Sequence, residues 1–506
     1  MLAMTRAHRL VTMLLPAMAS LLLVQTADAD PLPQHLRPHY RADGSVKVGT
    51  QVFPTRYAYA TSKLFQDSGA RCGTPEPPAV AEASPSDCGY QSTVINPEYD
   101  DDRTFVIQVV FHVVKQNATV GNVTPALINS QMEILNEDFQ ALAGTPGSAG
   151  HNVKLEFVLA KFDPAGLPTS GIEVVTNATW FNDNAGGDAM KTALNWDPTR
   201  YLNIYTNDAA GYLGYATFPS GGGAGGSHDG VVMLWNTVGR DAPYGPPYNQ
   251  GRTLTHEIGH YLGLHHTFND ENNDGSGCGN PGAPYTTGDA VADTTPEASS
   301  TFGCPIGQTS CGGQLSPIEN YMDYSDDTCM TRFTPEQGNR IRCSLWNYRT
   351  LNTKPTAAFT FSADLLDVSF TSTSTDAETT PAQLNYRWTF GDGMMATTQS
   401  PNHTYATAGT YTVTLEVIDE GSGTSEVTEQ VVVVSSIPDA APPRPDADPD
   451  RPDADPLAPD ADPNNPGDGD GGGCCQTQGA GPSYLLCGIP VLLVFRRRRR
   501  AAERVV

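Results

Sequence analysis

Between His256 and His266 the chain reads H-E-I-G-H-Y-L-G-L-H-H. Histidines four residues apart share one face of a helix, so His256 and His260 present two imidazoles to the same point. Two neutral imidazoles do not close a zinc site. Gly263 tolerates the left-handed backbone that stops a helix and turns the chain, and the turn brings His266 round as a third nitrogen. His265 is read as a neighbour or a solvent-facing residue. Three protein ligands leave a fourth position for water, as in catalytic zinc centres. Zinc lowers the pKa of bound water to about 7, and Glu257, beside His256, is placed to accept the proton. These residues suit amide hydrolysis without a covalent intermediate.

Such a helix needs a scaffold. Thr104 to Lys115 is an apolar, β-branched run that predicts a buried strand. Thr124-Pro125 opens a helix on which Ile128, Met132, Leu135 and Phe139 recur at helical spacing. Further strands are expected at 153–161, 171–176, 201–206 and 230–235, a short helix at 190–196, and a glycine-rich loop at 220–226. His112, inside the first strand, reads as a satisfied core histidine. Thr410 to Val417 alternates, with Tyr411, Val413, Leu415 and Val417 on one side, which predicts a half-buried strand of a small β-sandwich.

The 506 residues exceed one ordinary domain. A formal net charge of -26 argues against nucleic acid as a partner, because phosphate binding needs a basic surface. Arg6, His8 and Arg9 precede an apolar run to Val24 and Ala27-Asp28-Ala29, so residues 1–29 read as a signal peptide rather than an anchor. The product is therefore expected to be secreted, and its ten cysteines to form disulfides first. Residues 30–102 lack periodicity and read as a pro-segment rather than a core. Residues 436–473 repeat Pro-Asp-Ala-Asp and run into glycine, an extended linker.

Asn320-Tyr321-Met322-Asp323-Tyr324 resembles a metzincin Met-turn, with Met322 as the apolar floor beneath the zinc. The Tyr324 hydroxyl either stabilises charge developing in the transition state or packs in the core. With Thr267-Phe268, Cys329 and Phe333-Thr334-Pro335, the stretch from about Arg103 to Asn347 resembles the pappalysin family of metzincins. The resemblance implies an α+β, two-lobed zinc endopeptidase domain at 103–350: a twisted mixed sheet with helices, over a loop-rich C-terminal lobe. It implies disulfides Cys278–Cys311 and Cys304–Cys329, each typically worth about 2–4 kcal/mol. It also likens Gly288 to Thr294 to a calcium loop, with Asp289, Asp293 and Thr294 offering hard oxygens; the other reading is an ordinary acidic loop. Thr328 stands where relatives that cut beside basic residues carry an acid. Substrates are expected to be extracellular proteins or peptides.

Arg71-Cys72-Gly73-Thr74-Pro75 resembles the cysteine-switch motif of pappalysin-like zymogens, in which Cys72 would be a zinc ligand until removed. The competing reading pairs Cys72 with Cys88; with the switch, Cys88 and Cys343 are left as a pair. Trp388 to Gly393, Ser400 to Tyr405 and Gly409 to Tyr411 resemble an all-β PKD-type sandwich at 355–435, serving surface or matrix binding or acting as a spacer. Residues 474–506 hold Cys474-Cys475, an apolar run of twelve residues and five arginines, and resemble a MYXO-CTERM sorting tail. Twelve helical residues cover about 18 Å of a roughly 30 Å hydrocarbon layer, so membrane association through the tail is expected as a sorting event or, alternatively, a plain anchor.

Overall fold

The computed structural model describes residues 31–41, 43–75, 102–182, 188–219, 223–269, 277–280 and 288–436. The signal peptide, Cys88, the acidic linker and the C-terminal tail read from the sequence lie outside them. Among the described residues no helix is long and apolar enough to cross a membrane.

The first segment is a meander, β1 (Pro38–Tyr40), β2 (Val46–Val48) and β3 (Gln51–Phe53), followed by short helices α1 (Arg56–Ala60) and α2 (Lys63–Asp67). It departs from the expectation of a segment without a core. Val46, Val48, Tyr59 and Phe65 are buried in a cluster with Tyr205, Tyr244 and Tyr248. The apolar side chains are too few and too scattered to make a core alone. They complete one shared with later residues, which is why no periodicity betrays them.

The scaffold is a mixed sheet around β4 (Phe105–Lys115), ten of whose eleven residues are buried. Its β-branched run is explained by layers on both faces. The helix α3 (Pro125–Phe139) follows, capped by Thr124. Then come β5 (Leu155–Leu159), β6 (Ile172–Thr176), α4 (Ala178–Phe181), α5 (Asp188–Leu194), β7 (Tyr201–Asn207), β8 (Gly214–Ala216) and β9 (Val231–Leu234). The order is β5-β4-β7-β9-β8, with β6 also paired to β4. All pairs are parallel except β8 with β9, so β8 forms an antiparallel edge. His112 is buried on β4, with Nδ1 2.9 Å from Glu173 and Nε2 2.9 Å from Asn203 Oδ1, the satisfied core histidine expected.

On one face of the sheet α3 packs with α6 (Arg252–Tyr261), sharing Ile128, Leu135, Leu254 and Ile258 in the core. Beyond α6 the chain becomes loop-rich. It holds the small hairpin β10 (Thr309–Ser310) and β11 (Gln314–Leu315), and disulfides join Cys278 to Cys311 and Cys304 to Cys329. Cys343 is also disulfide-bonded. It lies on α7 (Pro335–Tyr348), which opens with Pro335 and a reciprocal cap between Thr334 and Gln337.

The C-terminal sandwich sets β12 (Phe359–Asp364), β13 (Asp367–Ser372) and β16 (Asn402–Thr404) against β14 (Asn385–Thr389), β15 (Met395–Ala396), β17 (Gly409–Ile418) and β18 (Thr424–Val433). Val413, Leu415 and Val417 pack with the fully buried Trp388, as the alternation required, and Tyr411 is half-buried at the strand end. The sandwich is fastened to the first sheet. Asn352 O accepts from Val106 N at 2.8 Å, and Thr353 bridges Phe105. The tip between β17 and β18 reaches back: Ser422 Oγ donates to Gln108 at 2.9 Å and accepts from Lys161 N at 3.0 Å, and Asp419 accepts from Asn352 at 3.2 Å.

Burial pushes the Asp419 carboxyl up to about 7. The folded protein thus keeps a proton that the unfolded chain loses near the ordinary value of about 3.9. Stability from this group is full below that value and falls as pH rises toward 7. Asp419→Asn retains an acceptor for Gly423 N, and a turned Asn352 amide accepts from the new NH2. The variant is expected to match the wild type in melting temperature near pH 4 and to exceed it above pH 7. A pH-independent difference between the two melting curves would contradict this assignment.

Candidate active site and metal centre

All of α6 is buried, and its last turn ends at Gly263, with φ of +89°. Leu264 N donates to Gly259 O at 2.9 Å, closing the turn that returns His266 to the helix. Gly259 serves a different purpose: a Cβ there would lie 2.4 Å from Met322 Sδ. Its absence lets the 320–324 turn press against the helix, with Met322 wholly buried against Gly259.

The three Nε2 atoms of His256, His260 and His266 lie 3.0–3.2 Å apart. His256 Nδ1 is 2.7 Å from Tyr321 O, and His260 Nδ1 is 2.7 Å from Leu264 O. A carbonyl accepts only, so each of these Nδ1 atoms carries the proton and each Nε2 presents a lone pair. Burial first, then His260, holds His256 well below the usual imidazole range, so it is neutral. Lone pairs at this separation repel unless a cation lies among them. Tetrahedral zinc at about 2.0–2.1 Å from each nitrogen sets them roughly 3.3 Å apart, so the donor set fits that ion. His265 is buried with its ring 5.2 Å from that of Phe218; it is not solvent-facing.

Cys72 Sγ joins the same cluster. It and one ring nitrogen of each histidine lie within 4.8 Å of one another, the only such group among the described residues. Cys72 is a buried free thiol, 3.5 Å from Glu257 Oε2. Thr74 Oγ1 donates to the same Oε2 at 2.7 Å and accepts from Ala216 N at 2.8 Å. Glu257 Oε1 is buried without a partner, and burial raises the carboxyl to about 7. On the other side of Cys72 the Arg71 guanidinium is wholly buried, 4.8 Å over the Tyr248 ring, with Nε and Nη1 unpartnered. The backbone follows the sheet edge: Leu213 N donates to Ala70 O at 3.0 Å, and Gly73 N to Gly214 O at 2.9 Å. Segment 70–74 therefore runs alongside β8 in the same direction.

The Tyr324 ring lies 5.0 Å from that of His266 and 5.7 Å from that of His256. In the acidic loop the candidate calcium oxygens have hydrogen-bond partners. Asp289 accepts from Val291 N at 3.3 Å and Thr294 Oγ1 at 2.5 Å. Asp293 accepts from Thr334 Oγ1 at 2.6 Å and Glu336 N at 2.9 Å. Their oxygens fasten the loop internally and to the start of α7, where a carboxylate also meets unpaired N–H groups.

Sequence reasoning missed Thr74, though it lies in a motif singled out, and Asp138. The signal for Asp138 was a carboxylate three residues from Leu135 on the apolar stripe of α3. It accepts from Arg252, Thr255 and Tyr321 at 3.1, 2.7 and 2.7 Å.

A helix whose histidines converge with a returning third one, above a methionine turn and beside a buried carboxylate, defines a metal-dependent hydrolase site. A profile of the peptidase M43 family, described as pregnancy-associated plasma protein-A, matches residues 187–345, and one of the PKD domain matches 352–434. An extracellular metalloprotease of Verticillium alfalfae is 38% identical over 256 residues, 49% of this chain and 78% of that one. Another, of Pyricularia oryzae, is 34% identical over 311 residues, 58% of this chain and 94% of that one. The solved structure of Tannerella forsythia mature mirolysin, in complex with a cleaved peptide, is 35% identical, covering 48% of this chain and 92% of its own, with a TM-score of 0.42. The chain belongs to the M43 family of metalloproteases, with a PKD domain behind the catalytic one.

Proposed function

We propose that this metalloprotease is a secreted endopeptidase holding zinc on His256, His260 and His266, with Glu257 as general base. The observation that carries the reading is the convergence of three Nε2 atoms at 3.0–3.2 Å beside a buried carboxylate, two of them unprotonated because their Nδ1 atoms donate to carbonyls. When bound, zinc polarises the scissile carbonyl and acidifies the attacking water. Glu257 takes the proton from that water and passes it to the leaving nitrogen. The Tyr324 hydroxyl stabilises the developing oxyanion. Edge strand β8 holds the substrate by backbone hydrogen bonds, as it holds residues 70–73. A chain that enters and leaves the cleft, as 70–75 does, suits cleavage within a polypeptide rather than at its end.

We further propose that the N-terminal segment keeps the enzyme latent. Cys72 would supply a fourth ligand to the metal, Thr74 engages Glu257, and Arg71 anchors the strand. Secretion accords with the extracellular relatives.

Metal analysis tests the centre. One zinc per chain is expected, with chelator-sensitive hydrolysis of casein by the matured protein. Replacing His266 with alanine is expected to lose most of the metal and the hydrolysis together. Folded wild type without stoichiometric metal would overturn the assignment.

A further inference from the structure

We infer that Asp138 is a positioning residue for His256, acting through the Met-turn tyrosine, and that α3 thereby sets the orientation of the first metal ligand. The inference rests on the zinc-peptidase reading. Asp138 is wholly buried near the end of α3. Its Oδ1 accepts from Arg252 Nη2 at 3.1 Å and from Tyr321 OH at 2.7 Å, and its Oδ2 accepts from Thr255 Oγ1 at 2.7 Å. Those donors belong to two elements that must be mutually aligned. Arg252 opens α6, and Thr255 directly precedes His256. Tyr321 belongs to the turn holding Met322, and its carbonyl accepts from His256 Nδ1 at 2.7 Å.

One carboxylate therefore fixes the rotation of α6 from two positions and the location of the Tyr321 side chain. The same tyrosine's backbone orients the imidazole. The path is a closed ring: Asp138 to Tyr321, Tyr321 to His256, His256 along one residue of helix to Thr255, and Thr255 back to Asp138. Every link is a hydrogen bond of 2.7 Å or a covalent neighbour. A ring of this kind restrains direction as well as distance. Ligand orientation by outer hydrogen bonds is where such groups exert their effect on a metal. Asp138 touches neither substrate nor metal. Removing its charge outright leaves Arg252 buried without a counterion, so alanine there tests folding as much as positioning.

The gentler variants Tyr321→Phe and Asp138→Glu, the second of which keeps the charge beside Arg252 but displaces the carboxylate by a methylene, separate the two. Tyr321→Phe deletes one hydroxyl while keeping the ring that packs 4.8 Å from Phe333. With the secreted, matured protein, each variant is expected to lower kcat about 10- to 100-fold with KM little changed, and to release zinc to dipicolinate faster by a similar factor. The cobalt-substituted protein is expected to show an altered visible ligand-field spectrum. The double variant is expected to be no worse than the poorer single one, since both cut the same ring. Folded variants with wild-type kcat, zinc release and cobalt spectrum would overturn the inference, as would activity lost only in proportion to the folded fraction. If the wild type itself held no metal, the peptidase reading would fail instead.

Discussion

Replacing Glu257 with alanine is expected to lower kcat by about 10²- to 10⁴-fold, the range a positioned general base contributes, while the chain keeps its zinc. Glu257 is next to His256 in sequence, but its carboxylate contacts Thr74 and Cys72, whereas the nitrogens that converge belong to the three histidines. Ligand and base are thus separable by substitution. Matured variant and wild type are to be compared by peptide hydrolysis and by zinc content on the same preparation. Retained zinc with lost turnover assigns the proton transfer to this side chain. Full turnover with alanine at this position would remove Glu257 from the mechanism. Loss of zinc with turnover would make it part of the metal's support.

Detaching the N-terminal segment is the second large effect. An occupant bound 99% of the time leaves about one molecule in a hundred open, so the intact chain is expected to hydrolyse peptide about 100-fold more slowly than the chain trimmed beyond Cys72. Cys72→Ala alone is expected to recover only part of that difference, because Thr74 still engages Glu257 and Arg71 remains stacked on Tyr248. Rates before and after trimming, with the new N-terminus read by mass spectrometry, decide the matter. An intact chain as fast as the trimmed one would dismiss the segment as an inhibitor.

The convergence of His256, His260 and His266 was legible because its geometry is local. Helical spacing and one glycine fix it without help from the rest of the chain. Strands β4, β5, β6, β7, β9 and β17 were legible for the same reason, since β4 and β17 advertise their surroundings in a few residues, whereas the edge strand β8 and the other sandwich strands were not placed one by one. What was not legible is relational. Asp138 announces itself only as a carboxylate on an apolar stripe, and nothing in α3 says that its partners lie more than a hundred residues on. Residues 31–70 looked coreless because half of their core belongs to Tyr205, Tyr244 and Tyr248. The partners of Asp289 and Asp293 were hidden in the same way: the start of α7 engages Asp293 and the loop itself engages Asp289.

The hairpin tip at Ser422 bonds directly to Gln108 on β4, the strand from which the catalytic sheet is built. A load placed on the sandwich is therefore delivered to the middle of the enzyme instead of being absorbed by slack chain. The module is joined as a bracket rather than a tether, because these bonds hold the sandwich in one orientation to the sheet that carries the cleft.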